Sequence, residues 1–153
     1  MKKFRYRMES ILQLKIKLEE QAKITYSAAR MRLNMEEQKL AQMNKQKESY
    51  EDRLRGLRSS RLDLVEIRRC EDAIKIMQYK IEHQKYIVKE AEKRLEAERI
   101  KLKNAMAERK TQDKLKEKAF EEYKIEFEAE ERKEADELNS FRYSNITLGE
   151  EDR

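Results

Sequence analysis

"LRGLRSSRLDLVE", Leu54 to Glu66, decides whether this chain is one helix or two. Gly56 lowers helix propensity by about 1 kcal/mol relative to Ala. Ser59 and Ser60 favour caps and turns. Asp63 stands three residues before Glu66, and Ser60 three before Asp63, each at the spacing of a capping box. A helix stop, a short loop and a helix start therefore fall within about ten residues of each other. A connection this short makes the helices it joins antiparallel neighbours. The alternative is a single helix running through a weak spot.

The composition leaves helices as the only material on either side. There is no proline and no tryptophan, and glycine occurs only at Gly56 and Gly149. Sheets and turn-rich folds use Gly and Pro as punctuation. Charged residues make up 45% of the 153 residues and the apolar set 38%, which suits a coiled coil or long helix more than a compact globule. High charge with few aromatics also fits a disordered chain, so periodicity has to decide.

N-terminal to the break, Tyr26, Ala29, Leu33, Glu36, Leu40, Met43, Lys47, Tyr50, Leu54 and Leu57 alternate steps of 3 and 4. That is the seam of a left-handed supercoil, with Glu36 and Lys47 as faults in it. Before Tyr26 the apolar stripe Ile11, Leu14, Leu18 and Ala22 has the looser spacing of a nearly straight helix. C-terminal to the break, Ile67, Cys70, Ile74, Met77, Ile81, Gln84, Val88, Ala91, Leu95, Glu98, Leu102 and Ala105 form a second seam. Its frame is lost near Arg109, and apolar spacing resumes at Phe120, Tyr123 and Phe127, then at Leu138 and Phe141.

The expected fold is all-α, a long antiparallel two-helix coiled-coil hairpin with unequal arms, in a single domain over residues 1–143. The first helix covers about residues 4–57, roughly 80 Å, the turn about 58–62, and the second helix about 63–141, roughly 120 Å. Residues 144–153 read as a flexible tail. With the turn centred near Ser59 and Ser60, the first helix begins beside Leu115 and residues after about 116 project past it. Faults at matching heights in the two seams would pin their register.

Charge is segregated along the chain. Residues 1–60 carry 15 Lys/Arg and 8 Asp/Glu, net +7, whereas residues 117–153 carry 6 and 13, net −7. The basic opening "KKFRYRMESILQLKIKLEEQAK", Lys2 to Lys23, therefore lies near the start of the acidic section, and opposite charges favour antiparallel docking. Exposed pairs are worth only a few tenths of a kcal/mol, so they select orientation more than they add stability. Glu126, Glu128, Glu130, Glu131, Glu134, Asp136 and Glu137 crowd towards a helix C-terminus, where they oppose the macrodipole. A basic partner surface accounts for them, and so does solubility.

Nothing in the chain points to catalysis. The single His83 has no orienting partner or nucleophile in the pattern and reads as a solvated helix-surface residue. Cys70, the only cysteine, sits at a seam position and behaves there as a small hydrophobe. It has no disulfide partner and no second Cys at metal-ligand spacing, which suits a reducing compartment. No phosphate loop, dinucleotide turn or HExxH pair is present, and a thin hairpin offers no concave pocket. The chain is expected to be no enzyme and to use no metal or cofactor.

Basic residues Lys2, Lys3, Arg5, Arg7, Arg53, Arg55, Arg58 and Arg61 could meet phosphates. The interspersed acids and the negative final third argue against nucleic acid. A membrane-surface helix would carry Trp, and a transit peptide would avoid Glu9, Glu19 and Glu20. No run approaches the roughly 20 apolar residues that span a bilayer. Tyr26, Met43, Tyr50 and Met77 read as seam packing, and any left uncovered would form a partner-binding stripe.

"FRYRMESILQLKIKLEEQAK", Phe4 to Lys23, resembles the start of the flagellar FliJ family: an aromatic-basic pair, a Leu-rich stripe and an acidic pair before Ala. "EERKEADELNSFR", Glu130 to Arg142, is similar to that family's C-terminal signature, with Asp136-Glu137 as its acidic pair. The chain length, the break near residue 60 and the unequal arms also match.

The resemblance implies a cytoplasmic component of the flagellar type III export apparatus, at the inner face of the membrane and bound there through its partners. It implies a stalk within a hexameric export ATPase ring, promoting its assembly and activity, with contacts to the export gate linker and to export chaperones. By that likeness Phe4, Arg5, Tyr6, Arg7, Asp136 and Glu137 would contact the ring. Gln38, Tyr50, Ile74, Met77 and Ile81 would contact the gate or chaperones, although Cys70 and Ala73 stand where the family pattern has an aromatic. The alternatives are an adaptor or chaperone for secretion substrates without ATPase regulation, and an injectisome stalk homologue.

Overall fold

In the computed structural model the backbone is described for residues 2–59 and 63–151, and side chains as far as residue 149. Two helices account for nearly all of it: α1, Glu9–Ser59, of 51 residues, and α2, Leu64–Glu151, of 88 residues. They pack against each other as an antiparallel hairpin of unequal arms, matching the expected class. By contacts the chain divides into two units, Glu19–Ala105 and Met1–Leu18 with Met106–Arg153.

The Glu19–Ala105 unit follows the two seams read from the sequence. Ala29, Glu36, Leu54, Cys70, Met77, Ile81, Gln84, Val88, Ala91 and Glu98 are buried, and the seam positions between them are half-buried. Alternating steps of 3 and 4 keep one narrow stripe of each helix against the other, and that stripe is the whole core. Charged pairs close the flanks near the turn: Arg53 to Glu66 at 3.5 Å and Arg58 to Glu71 at 3.2 Å.

Asp63 caps α2. Its Oδ1 accepts from the backbone N–H of Val65 at 3.1 Å and of Glu66 at 3.4 Å, groups that a helix start otherwise leaves unpaired. Gly56 does not stop α1. It lies within the last turn with negative φ, and the helix runs on to Ser59, whose hydroxyl donates to the Gly56 carbonyl at 3.1 Å. Ser60, Arg61 and Leu62, the centre of the expected turn, lie outside the described residues.

In the other unit the stripe Ile11, Leu14 and Leu18 is not in the seam. These residues are 37%, 53% and 41% exposed, while Leu12 is 3% exposed and Glu19, at the head of the neighbouring unit, 5%. The 3-and-4 alternation of Tyr26, Ala22 and Glu19 simply runs back through Lys15 to Leu12. On α2, Arg109, Gln112, Lys116, Ala119 and Tyr123 are half-buried and keep the same alternation. The frame is therefore not lost at Arg109. It continues with polar occupants, which a search for apolar residues misses.

Both ends of the helices differ from expectation. α1 begins at Glu9 rather than Phe4. Lys2, Lys3, Arg5 and Arg7 would oppose the positive end of a helix macrodipole, whereas Glu9 favours it. α2 continues beyond residue 141, so residues 144–151 are helical rather than a coil. This segment has no proline and keeps local bonds such as Thr147 Oγ1 to the Tyr143 carbonyl at 2.7 Å.

Candidate partner-binding surfaces

Residues 2–8 form a non-helical strap laid along α2. An extended chain advances about 3.3 Å per residue against 1.5 Å for a helix, so seven residues reach further along α2 than another helical turn would. The Phe4 ring meets Phe120 edge-on, centroids 5.2 Å apart, and Tyr123 at 5.3 Å. Tyr123 continues the cluster to Phe127 at 6.1 Å. The Tyr123 hydroxyl donates to the Lys2 backbone carbonyl at 2.7 Å, and the Tyr6 hydroxyl donates to Gln112 Oε1 at 3.2 Å. Each tyrosine thus buries a ring edge while its hydroxyl finds an acceptor.

At the root of the strap, Lys116 Nζ lies 2.9 Å from Glu9 Oε2, and Gln13 Nε2 donates to Glu9 Oε1 at 3.1 Å. The Lys116 contact holds the Glu9 carboxyl below its ordinary range. Lys15 pairs with Glu108 at 2.8 Å.

The expected ring-contact residues fall into two kinds. Phe4 and Tyr6 are half-buried and occupied with α2, while Arg5 and Arg7 are exposed. Glu137 lines a shallow groove with Lys2, Glu130, Lys133 and Glu134, so the start of the chain reaches the acidic section of α2 there. Asp136 is exposed on α2 beside it in sequence. The grooves next to the strap are acidic on the α2 side, lined by Glu122 and Glu126.

The five residues expected at the gate or chaperones do not present one surface. Met77 and Ile81 are 6% and 5% exposed and sit within the seam. Tyr50 and Ile74 are half-buried, and Gln38 is exposed. The exposed apolar residues at this height are others: Ile76, Tyr79 and Tyr86 on α2, and Met31 and Met35 on α1. Ile76, Tyr79, His83 and Tyr86 recur at steps of 3 and 4, one stripe on α2 beside the seam. That recurrence is in the sequence and identifies them once the seam is assigned.

Among the described residues, no helix is long and apolar enough to cross a membrane, and no three His, Cys, Asp or Glu residues gather for a metal ion. Cys70 is buried in the seam and His83 is exposed.

The family model described as Flagellar FliJ protein matches residues 4–147. A solved structure, described as that of a YscO homologue from Chlamydia trachomatis, is 19% identical and superposes with a TM-score of 0.62, covering 95% of this chain and 99% of that one. At that identity the likeness concerns the fold. No curated protein sequence matches the chain.

Proposed function

The chain belongs to the flagellar FliJ family, a component of the type III export apparatus, and on that premise we propose that it is the coiled-coil stalk of the export ATPase. It works in the cytoplasm, held at the inner face of the membrane through its partners. The strap end enters the hexameric ring, promotes its assembly and activity, and links it to the export gate and export chaperones.

The observation that carries this is the packing of the chain's start against the acidic section of α2. Strap residues Phe4 and Tyr6 are fixed against α2, which leaves Arg5 and Arg7 exposed on an anchored backbone beside Glu122 and Glu126, with Lys2 reaching the groove of Glu137. One asymmetric hairpin within six-fold symmetry cannot meet all subunits alike, and so it biases their nucleotide states in turn. Gate and chaperone contacts fall to Gln38, Tyr50 and Ile74 together with exposed Tyr79 and Tyr86. Met77 and Ile81 act by supporting that surface from within the seam.

The test is ATP hydrolysis by the export ATPase of the same organism against increasing amounts of this protein. Stimulation saturating near one chain per hexamer, with more hexamer formed, is the expected result. A flat response with active ATPase and helical protein would move the function to an adaptor for chaperones or substrates. The exposed aromatics Tyr79 and Tyr86 would serve that second reading as well as the first, and the ATPase response separates the two.

A further inference from the structure

The strap differs from the rest of the chain in how it is held. Its contacts with α2 are those of a bound peptide: one aromatic side chain against a cluster, one bond to its main chain, and basic side chains over acidic ones. Phe4 meets Phe120 and Tyr123. The Tyr123 hydroxyl reads a backbone carbonyl, that of Lys2, and so does not depend on the side chain at that position. Lys2, Lys3, Arg5 and Arg7 lie along grooves lined by Glu122 and Glu126, and then by Glu130.

We propose that the α2 surface around Phe120, Tyr123 and Glu126 is a peptide-binding site, and that residues 2–7 occupy it in cis. Its ligand in trans is an extended protein segment with an aromatic residue flanked by Lys or Arg. The strap itself defines that chemistry, because it is the ligand seated there. The acids repel phosphate, which excludes nucleic acid as the occupant.

The site exchanges its occupant readily. Phe4 and Tyr6 are only half-buried, Lys2, Lys3, Arg5 and Arg7 are exposed, and among the described residues no backbone ladder ties the strap to α2. Segments with few buried contacts open at low free-energy cost. When the strap leaves, Phe120, already 47% exposed, is uncovered further together with Tyr123, which lies against Phe4. A partner segment that takes the strap's place thereby frees Phe4 and Tyr6 for contacts of their own. The assignment rests on the strap's contacts and not on the export reading, and its test uses no ATPase.

The probe is a fluorescein-labelled peptide of residues 2–10, KKFRYRMES, followed by anisotropy with the full chain. The comparison chain is Phe4→Asp/Tyr6→Asp, which repels the strap from the acidic groove without shortening the protein. A segment tethered in cis acts at an effective concentration on the order of millimolar, so the wild type should bind the peptide at least about tenfold more weakly than the released chain. Glu122→Lys/Glu126→Lys in the released chain should abolish binding, with helicity by circular dichroism unchanged. A peptide with Ser in place of Phe4 and Tyr6 keeps the charge and should bind neither chain.

Equal affinity for wild type and released chain would overturn the proposal, as would binding that survives the Glu122 and Glu126 reversals. Equal binding of the Ser-substituted peptide would mean charge attraction alone and would also overturn it. So would a released chain that dimerises in sedimentation and takes up no peptide, because the site would then belong to a second copy.

Discussion

Gln84 on α2 donates from Nε2 to both the carboxylate of Glu36 on α1, at 2.6 Å, and the Glu36 backbone carbonyl, at 3.0 Å. Both residues are almost fully buried at facing seam positions, and Arg32 and Lys39 reach the same carboxylate from the flanks at 3.1 Å and 3.5 Å. The Gln84 bonds are made in one register alone, so any slip would leave the buried Glu36 with only its same-helix partners Arg32 and Lys39.

Acid should weaken the seam through this pair. The Gln84 hydrogen bond, with Lys39 and Arg32, holds the Glu36 carboxyl below its ordinary value of 4.5 against the opposing effect of desolvation. A depressed value in the folded state means that the contribution is complete above pH 4.5 and is lost as pH falls through the folded value. Melting temperature followed by circular dichroism from pH 7 downward should therefore drop more steeply below that point in wild type than in Gln84→Leu. The Leu variant should also melt lower at neutral pH, because its Glu36 stays buried with fewer partners. Parallel acid limbs would show that Glu36 does not carry the effect.

Gly56→Ala should stabilise the protein by about 0.5–1 kcal/mol. Gly56 is helical with negative φ, and an added Cβ would meet nothing within 4 Å. Urea unfolding gives the change directly. A loss of stability would mean that the neighbouring turn needs glycine's freedom.

Seam and flank should separate cleanly on α2. Met77→Ala and Ile81→Ala each remove a buried side chain and should cost about 2–3 kcal/mol, the lower part of the core range, because a two-helix seam collapses more easily than a globular core. Tyr79→Ala and Tyr86→Ala, 79% and 62% exposed, should stay within about 0.5 kcal/mol while weakening pull-down of gate or chaperone partners. Unchanged partner capture would remove the flank stripe from the proposed contact.

Arg5→Glu/Arg7→Glu should raise the protein concentration giving half-maximal ATPase stimulation about three- to tenfold, with helicity retained, since both side chains are exposed. Added salt should narrow the gap between variant and wild type by screening the same charges. Full stimulation by the variant at low salt would exclude the strap from the ring contact.

The middle of the molecule was legible from sequence because its seams are long. Each of the seam residues expected from Tyr26 to Leu57 and from Ile67 to Ala105 is buried or half-buried, including the faults Glu36 and Lys47 and the polar positions Gln84 and Glu98. The Asp63 cap was legible from its spacing to Glu66, although Glu66 turns to Arg53 and Arg69 instead of back to the cap. Of the candidate contact residues, Arg5, Arg7, Gln38, Asp136 and Glu137 are at the surface. Met77 and Ile81 are not, because a seam position and a partner stripe present the same residue types.

The sequence by itself determined that the chain is helical, where it breaks and which stripe pairs over most of its length. Composition without proline and the long alternation of 3 and 4 set the helices, and the Ser59, Ser60 and Asp63 signals set the break. What only the tertiary structure decided is the chain's first eighteen residues and what they meet. Ile11, Leu14 and Leu18 make a better apolar stripe than Leu12, Lys15 and Glu19, yet it is the second set that continues the frame of α1. Local periodicity ranks side chains by their own hydrophobicity, whereas the facing helix fixes which positions point inward. Gln112 and Lys116 on α2 supply polar partners at those positions, to Tyr6 and Glu9. The strap was hidden for the same reason: Phe4 leaves the helix for an aromatic cluster more than a hundred residues away, a destination that no local pattern encodes.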